Sequence, residues 1–130
     1  MLSAAEVSFV QQHELCRLAT LDATGWPHLV PVCYIYWNHA FYIVTDLGTR
    51  KLRNVQRNPR VALLVDRYKP NKGVLVFGEA EVLTRGEEFL KVSELFFKKF
   101  SWAKEDPWGE GEAAVIKVKP LRKVSWGLSQ

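Results

Sequence analysis

The sequence predicts a single mainly β domain, a small antiparallel barrel of six strands with a few helices, spanning residues 1–130. Six short runs rich in β-branched and aromatic residues are separated by turn-forming clusters. Two of those clusters, Asp22-Ala23-Thr24-Gly25-Trp26-Pro27 and Asn38-His39-Ala40, have the length and chemistry of antiparallel hairpin connections. Closing the strands on themselves removes exposed edges, which favours a barrel over an open sheet. With 48% apolar residues the chain can bury one core without disulfides or metals, and its length leaves no room for a second domain.

Taken in order, Ser3-Ala4-Ala5-Glu6 has capping-box spacing and predicts a helix over Ser3–Gln12, with Val7 and Val10 turned inward. Strands follow at Leu15–Leu21, His28–Trp37 and Phe41–Thr45. Leu52 and Val55, three apart, mark a helix over 49–58, and strands return at Arg60–Asp66, Val74–Thr84 and Ala113–Val124. Between the last two, Phe89, Val92, Phe96 and Phe100 recur at helical spacing, which predicts a helix over Gly86–Phe100 facing the core. Ser101–Gly111, with Trp102 and Trp108 among Pro107, Gly109 and Gly111, reads as a loop. Leu29–Ile35 and Val61–Val65 are apolar on both faces, so the outer face of the barrel needs cover, and a homodimer would supply it.

Cys16 and Cys33 lack metal-ligand spacing and read as buried free thiols of a reducing compartment. No signal-like start and no apolar run of transmembrane length is present, which predicts a cytoplasmic protein with no membrane partner. His13, His28 and His39 occur singly, so no metal site is expected. The hydrolase, zinc-protease and nucleotide-loop motifs are missing as well. If the protein is an enzyme, a cofactor carries its chemistry.

Charge points to an anionic partner at one place on the surface, a phosphate ester or a nucleic acid. Residues 50–72 hold eight Lys and Arg against Asp66 alone, a local charge of +7 in a chain whose total is +4. Three of these cations, Arg50, Lys51 and Arg53, fall in the first turn of the predicted helix, where they oppose the helix dipole and no acid offsets them. A helix start with unpaired N–H groups and extra cations is a site for an anion, and a phosphate is the natural guest. Pro31, inside an otherwise convincing strand, marks an edge, a bulge or a ligand-facing position. Trp126 is either a stacking platform for a planar ring or an interface aromatic.

These residues resemble a known family. His28-Leu29-Val30-Pro31-Val32-Cys33-Tyr34, Val44–Lys51, Asn58–Val65, Val76–Glu81 and Val124-Ser125-Trp126 fall in the order found in pyridoxamine 5′-phosphate oxidase-like split-barrel flavoproteins, and cover nearly the whole chain. The resemblance is strongest to a short branch of flavin- or deazaflavin-dependent reductases. It implies a six-stranded split β-barrel of the FMN-binding type, homodimeric, with two cofactors bound where the subunits meet. By that pattern Thr49, Arg50 and Lys51 hold the cofactor phosphate, in agreement with the dipole argument. Leu29, Val30, Pro31 and Val32 line the isoalloxazine ring through backbone groups, Val44 and Thr45 lie below the ribityl chain, and Trp126 approaches the ring from the other subunit. The implied activity is an oxidoreductase that transfers hydride to or from a small planar substrate, with FMN as cofactor or, alternatively, the deazaflavin coenzyme F-420.

Two other readings stand beside it. A non-catalytic flavin- or haem-binding protein is compatible with the same residues. A nucleic-acid-binding module fits less well, because apart from Tyr68 the cations lack interleaved aromatics.

The chain also departs from the oxidases of that family. Tyr34 stands where they have a basic residue and Gly73 where they have a glutamine, and the sequence given has no Arg-rich segment after the tryptophan. A substrate phosphate needs its own well-placed donors, and these positions supply none. Loaded with FMN, the protein is expected not to oxidise pyridoxamine 5′-phosphate. Formation of pyridoxal 5′-phosphate, followed by absorbance, at about 1 per second or faster would contradict this.

Overall fold

The computed structural model describes residues 1–129. The chain runs α1 (Ala4–Gln11), β1 (Leu15–Leu21), β2 (Pro27–Cys33), β3 (Ile35–Trp37), β4 (Ala40–Thr45), α2 (Arg50–Arg57), β5 (Arg60–Arg67), β6 (Lys72–Leu83), α3 (Glu87–Lys99), a short 3-10 helix (Ser101–Glu105) and β7 (Ala114–Trp126). All seven strands join one antiparallel sheet in the order β2-β1-β5-β6-β7-β4-β3. The sheet curls as a half-barrel, bringing β2 back against β4.

The seventh strand corrects the expectation of six. His28–Trp37 is broken at Tyr34, because its two halves pair with different partners: β2 with β1, and β3 with β4. At the break the Tyr34 backbone N–H donates to Glu14 O (3.3 Å), its hydroxyl donates to Val10 O, and its ring is fully buried. A residue that must turn into the core cannot keep both halves in one ladder. The β3–β4 turn is the expected two-residue hairpin, with Asn38 and His39 at φ 52° and 65°. Pro31 lies on an edge strand paired on one side only, where a missing N–H need not interrupt a ladder.

The inner face of the sheet packs Leu18, Phe41, Ile43, Leu63, Val76 and Ile116 into one core, closed by Phe9 and Val10 of α1 and by Leu52 and Val55 of α2. A second core lies on the outer face, where Phe89, Val92 and Phe96 of α3 cover Ile35, Tyr42 and Val115. The helix therefore covers only the β3-β4-β7 side. Beyond it the outer face presents two transverse rows set by the strand registers: Leu29, Ala19, Ala62, Phe77 and Arg122, then Pro31, Arg17, Leu64, Leu75 and Val124. Leu29 is 64% exposed and Val124 54%. Apart from Arg17, which pairs with Asp66, and Arg122, which lies over the Phe77 ring, the rows form the apolar outer surface expected from the strands' two-sided hydrophobicity.

One buried charge ties the ends of the chain together. Ser3 caps α1 and forms the full capping box with Glu6. Glu6 is 4% exposed, and its carboxylate accepts from Lys123 Nζ (2.5 Å) and Ser125 Oγ (2.6 Å) of β7. Burial alone would raise its pKa. The hydrogen bonds from Lys123, Ser125 and Ser3, with the Lys123 charge, more than offset that and bring it down to about 2.

Because the folded-state pKa lies below the ordinary 4.5, this carboxylate stabilises the fold above that pH, and the contribution is lost as pH falls from 4.5 to about 2. Glu6→Gln is expected to cost roughly 3 kcal/mol at neutral pH, with most of the difference from the parent gone near the lower pKa. Urea denaturation of both proteins across that range checks this; a pH-independent difference would contradict it.

Candidate functional site

Thr45 ends β4, Gly48 turns the chain at φ 80°, and α2 begins at Arg50. Thr49 occupies the N-cap position, yet its side chain makes no capping bond; its hydroxyl meets Thr45 Oγ1 at 2.9 Å instead. No acid lies in the first turn. Arg53 turns back onto the Gly48 carbonyl, and among the described residues Arg50, Lys51 and Arg53 form no ion pair. The positive end of the α2 dipole and three cations thus stand together with no acid in the first turn; the carboxylates nearby are Asp46, in the same lining as Lys51, and Asp22, which the charge of Arg50 reaches.

This helix start opens onto a cavity of about 400 Å³, within the range that holds small ligands. Thr45, Asp46, Thr49 and Lys51 form its polar end, and Val32, Cys33 and Val44 its floor. Burial pushes the Cys33 thiol pKa up, with the Glu14 charge adding to it, so the thiol is not an activated nucleophile. Lys99 fixes this end of β2 from α3: its Nζ donates to His13 O (2.7 Å) and Tyr34 O (3.0 Å) and lies 4.4 Å from the Tyr34 ring centroid. Desolvation lowers the Lys99 pKa, partly countered by Glu14.

The far wall comes from the segment that the sequence reads as a loop. Phe96, Trp102, Ala103, Asp106 and Trp108 line it. Trp108 is fixed by an Nε1–H bond to Ser93 Oγ (2.8 Å) and by Phe97, 4.5 Å between centroids. Sequence reasoning missed this wall. Phe96 fits the core stripe, and the signal in the rest was two tryptophans amid Pro and Gly, a composition that leaves indoles exposed unless they serve a surface.

Of the site residues expected from the sequence, Val32, Val44, Thr45, Thr49 and Lys51 are brought together in this cavity. Arg50 is exposed at the same helix start. Leu29, Val30 and Pro31 continue along β2 from Val32, outside the lining. Trp126 is not brought there within one protomer. It pairs with Gly73 at the far end of the β6–β7 ribbon, whereas Ala114, at the other end of β7, pairs with Thr45. Its indole lies across Gly73, where a Cβ would stand 2.2 Å from Trp126 Cζ2, and its Nε1–H donates to Asn71 Oδ1 (3.2 Å). The glycine at 73 is what lets the ring lie down.

A family model described as pyridoxamine 5′-phosphate oxidase matches residues 2–126. The chain belongs to this family. Among its relatives, the 5a,11a-dehydrotetracycline/5a,11a-dehydrooxytetracycline reductase of Streptomyces rimosus is 30% identical over 132 residues, covering 95% of this chain and 81% of the reductase. The chain spans about half the length of the pyridoxine/pyridoxamine 5′-phosphate oxidases it also matches. The same fold is found in an FAD-binding protein from Mesorhizobium loti (TM-score 0.76, 23% identity, 99% of this chain and 96% of that one). It is also found in HutZ, the haem storage protein of Vibrio cholerae (TM-score 0.80, 17% identity, 93% of this chain and 90% of that one). Among the described residues no group of three His, Cys, Asp or Glu is placed to hold a metal, and no helix is long and apolar enough to cross a membrane.

The uncapped helix start yields its own test. Thr49→Asp supplies a capping acceptor and a negative charge, so the apo-protein is expected to gain about 0.5–1 kcal/mol while anion binding weakens. Thermal melts with and without inorganic phosphate check it. An unchanged melting temperature in the apo-protein would show that the helix start is already satisfied.

Proposed function

We propose that this protein is a flavin-dependent oxidoreductase that binds FMN, or alternatively the deazaflavin coenzyme F-420, and acts on a small planar substrate. The observation that carries the reading is the uncapped start of α2, which places Lys51 and Thr49 in the cavity lining with Arg50 exposed beside them. It fits a phosphate-bearing ring cofactor: Lys51 and Arg50 offer charge, Thr49 and Thr45 hydroxyls, and the helix N–H groups the dipole. When bound, such a cofactor supplies hydride transfer. The chain's own residues bind and orient it, and no side chain in the cavity has the pairing expected of a general acid and base. Kinship with a reductase at 30% identity supports turnover, though not a particular substrate.

A storage role is the second reading, favoured by the fold shared with a haem storage protein. Against haem, the cavity lining contains no His or Met, and its one thiol is held protonated by burial.

The bare apolar rows on the outer face fit a second copy of the chain, and the cavity opens beside the same face through Cys33, which lies in line with Leu29 and Pro31 on β2. In such a homodimer Trp126 of the second copy is the one positioned to approach the ring, since it does not reach its own cavity. A cytoplasmic location agrees with two unpaired cysteines.

The absorbance of purified protein, followed by titration with FMN and with the deazaflavin, tests the cofactor. Arg50→Ala and Lys51→Ala are each expected to weaken binding by about 1.5–3 kcal/mol, roughly ten- to a hundredfold in Kd, with folding intact. Parent-like affinity of both variants for both cofactors would overturn the phosphate assignment.

Light scattering is expected to give a dimer at micromolar concentration. A mass of 14.9 kDa at every concentration would overturn the shared site.

A further inference from the structure

The cavity has two chemically different ends, and the cofactor reading uses only one. Lys51 is the single cation of the lining, and it lies at the helix start. Asp46 stands beside it, and the part of the lining from α3 and the 3-10 segment is aromatic and carries a second carboxylate, Asp106. Trp108 there is locked by Ser93 and Phe97, and Phe96 is buried in the second core. Trp102 differs from both. It is held between buried neighbours, Ala103 at 3% and Phe100, two positions earlier, at 2%, yet the residue itself is 58% exposed. The 3-10 helix therefore presents to the cavity a large indole that packs on Phe100 (5.8 Å between centroids) and is otherwise open to water.

We propose that Trp102, with Trp108 behind it, forms the substrate wall of this site and selects a flat, unphosphorylated ring system of two or more fused rings. Stacking on an indole rewards planar area, and desolvating an already exposed ring adds to it. Asp106 repels a phosphate at this end and tolerates a neutral or cationic substrate. Selection thus comes from an aromatic face and one carboxylate, where a phosphate ester would need cations. The proposal rests on the reading of the α2 end as the cofactor end, and it assigns the remainder of the cavity.

The test is an equilibrium titration of the FMN-loaded protein with menadione, a bicyclic quinone, and with pyridoxamine 5′-phosphate, read by calorimetry and by perturbation of the flavin absorbance. Trp102→Ala is expected to weaken menadione binding about tenfold, and Trp102→Phe, which keeps a stacking face, by about threefold or less. The Kd for FMN should stay within about twofold in both variants, and Asp106→Lys should improve pyridoxamine 5′-phosphate binding without improving menadione binding. Menadione that fails to bind the parent, or binds Trp102→Ala equally well, overturns the wall. Parallel loss of FMN and menadione also overturns it, since Trp102 would then belong to the cofactor. If the parent binds neither FMN nor the deazaflavin, the cofactor reading fails by itself, and the same Trp102 comparison on the apo-protein still decides the wall.

Discussion

Uneven cover of the curled sheet governs this molecule. The inner face closes on itself around Phe41, Ile43 and Ile116, with α1 and α2 sealing it, so its burial is complete. The outer face is apolar too, but α3 is one helix and covers only the strands nearest β4. Where the helix and its trailing 3-10 turn stop, the sheet surface drops away, and the cavity lies at that boundary with Val32 and Cys33 on its floor and Trp102 at its rim. A groove there needs no special folding device. It follows from a sheet wider than the helix that lies on it, and the strand rows left bare beyond it are the surface a second copy would cover.

The start of α2 sets the chemistry of that groove. A capped helix with an acid in its first turn would make the fold more stable and the site neutral. Here the Thr49 hydroxyl is turned to Thr45, and the first turn carries three cations and no acid. Stability held back in this way is available to an incoming anion. The buried Glu6, which accepts bonds from Lys123, Ser125 and Ser3, shows that the same chain satisfies a charge fully where only structure is at stake.

Much of this was legible because it rests on local chemistry. Ser3 and Glu6 announced α1, Asn38 and His39 the hairpin, and Arg50, Lys51 and Arg53 a basic start to α2. The break at Tyr34 was hidden, since no Gly or polar cluster marks it; the strand changes partner because Tyr34 turns into the core, a tertiary fact. The aromatic wall was hidden for a related reason. Phe96 sits on α3 in the stripe that feeds the second core, so periodicity assigns it inward, while Trp102 and Trp108 follow a helix end in a segment without period. Only the fold brings that segment across from β2 and β4.

Trp126 shows how far one protomer's geometry reaches. From Ala114 beside Thr45 to Trp126 beside Gly73 runs the full length of β7, 13 residues by its bounds. At about 3.3 Å per residue that is roughly 40 Å of strand. A tryptophan held there by Asn71 and laid flat on a glycine is too well fixed to be a loose end. A side chain at residue 73 would occupy the space its ring takes, so any other residue there would make the indole turn away from this position. With Gly73 the chain has taken the indole. The consequence is local: with no side chain at 73, this end of the β6–β7 ribbon presents an indole held by Asn71 instead of a polar group.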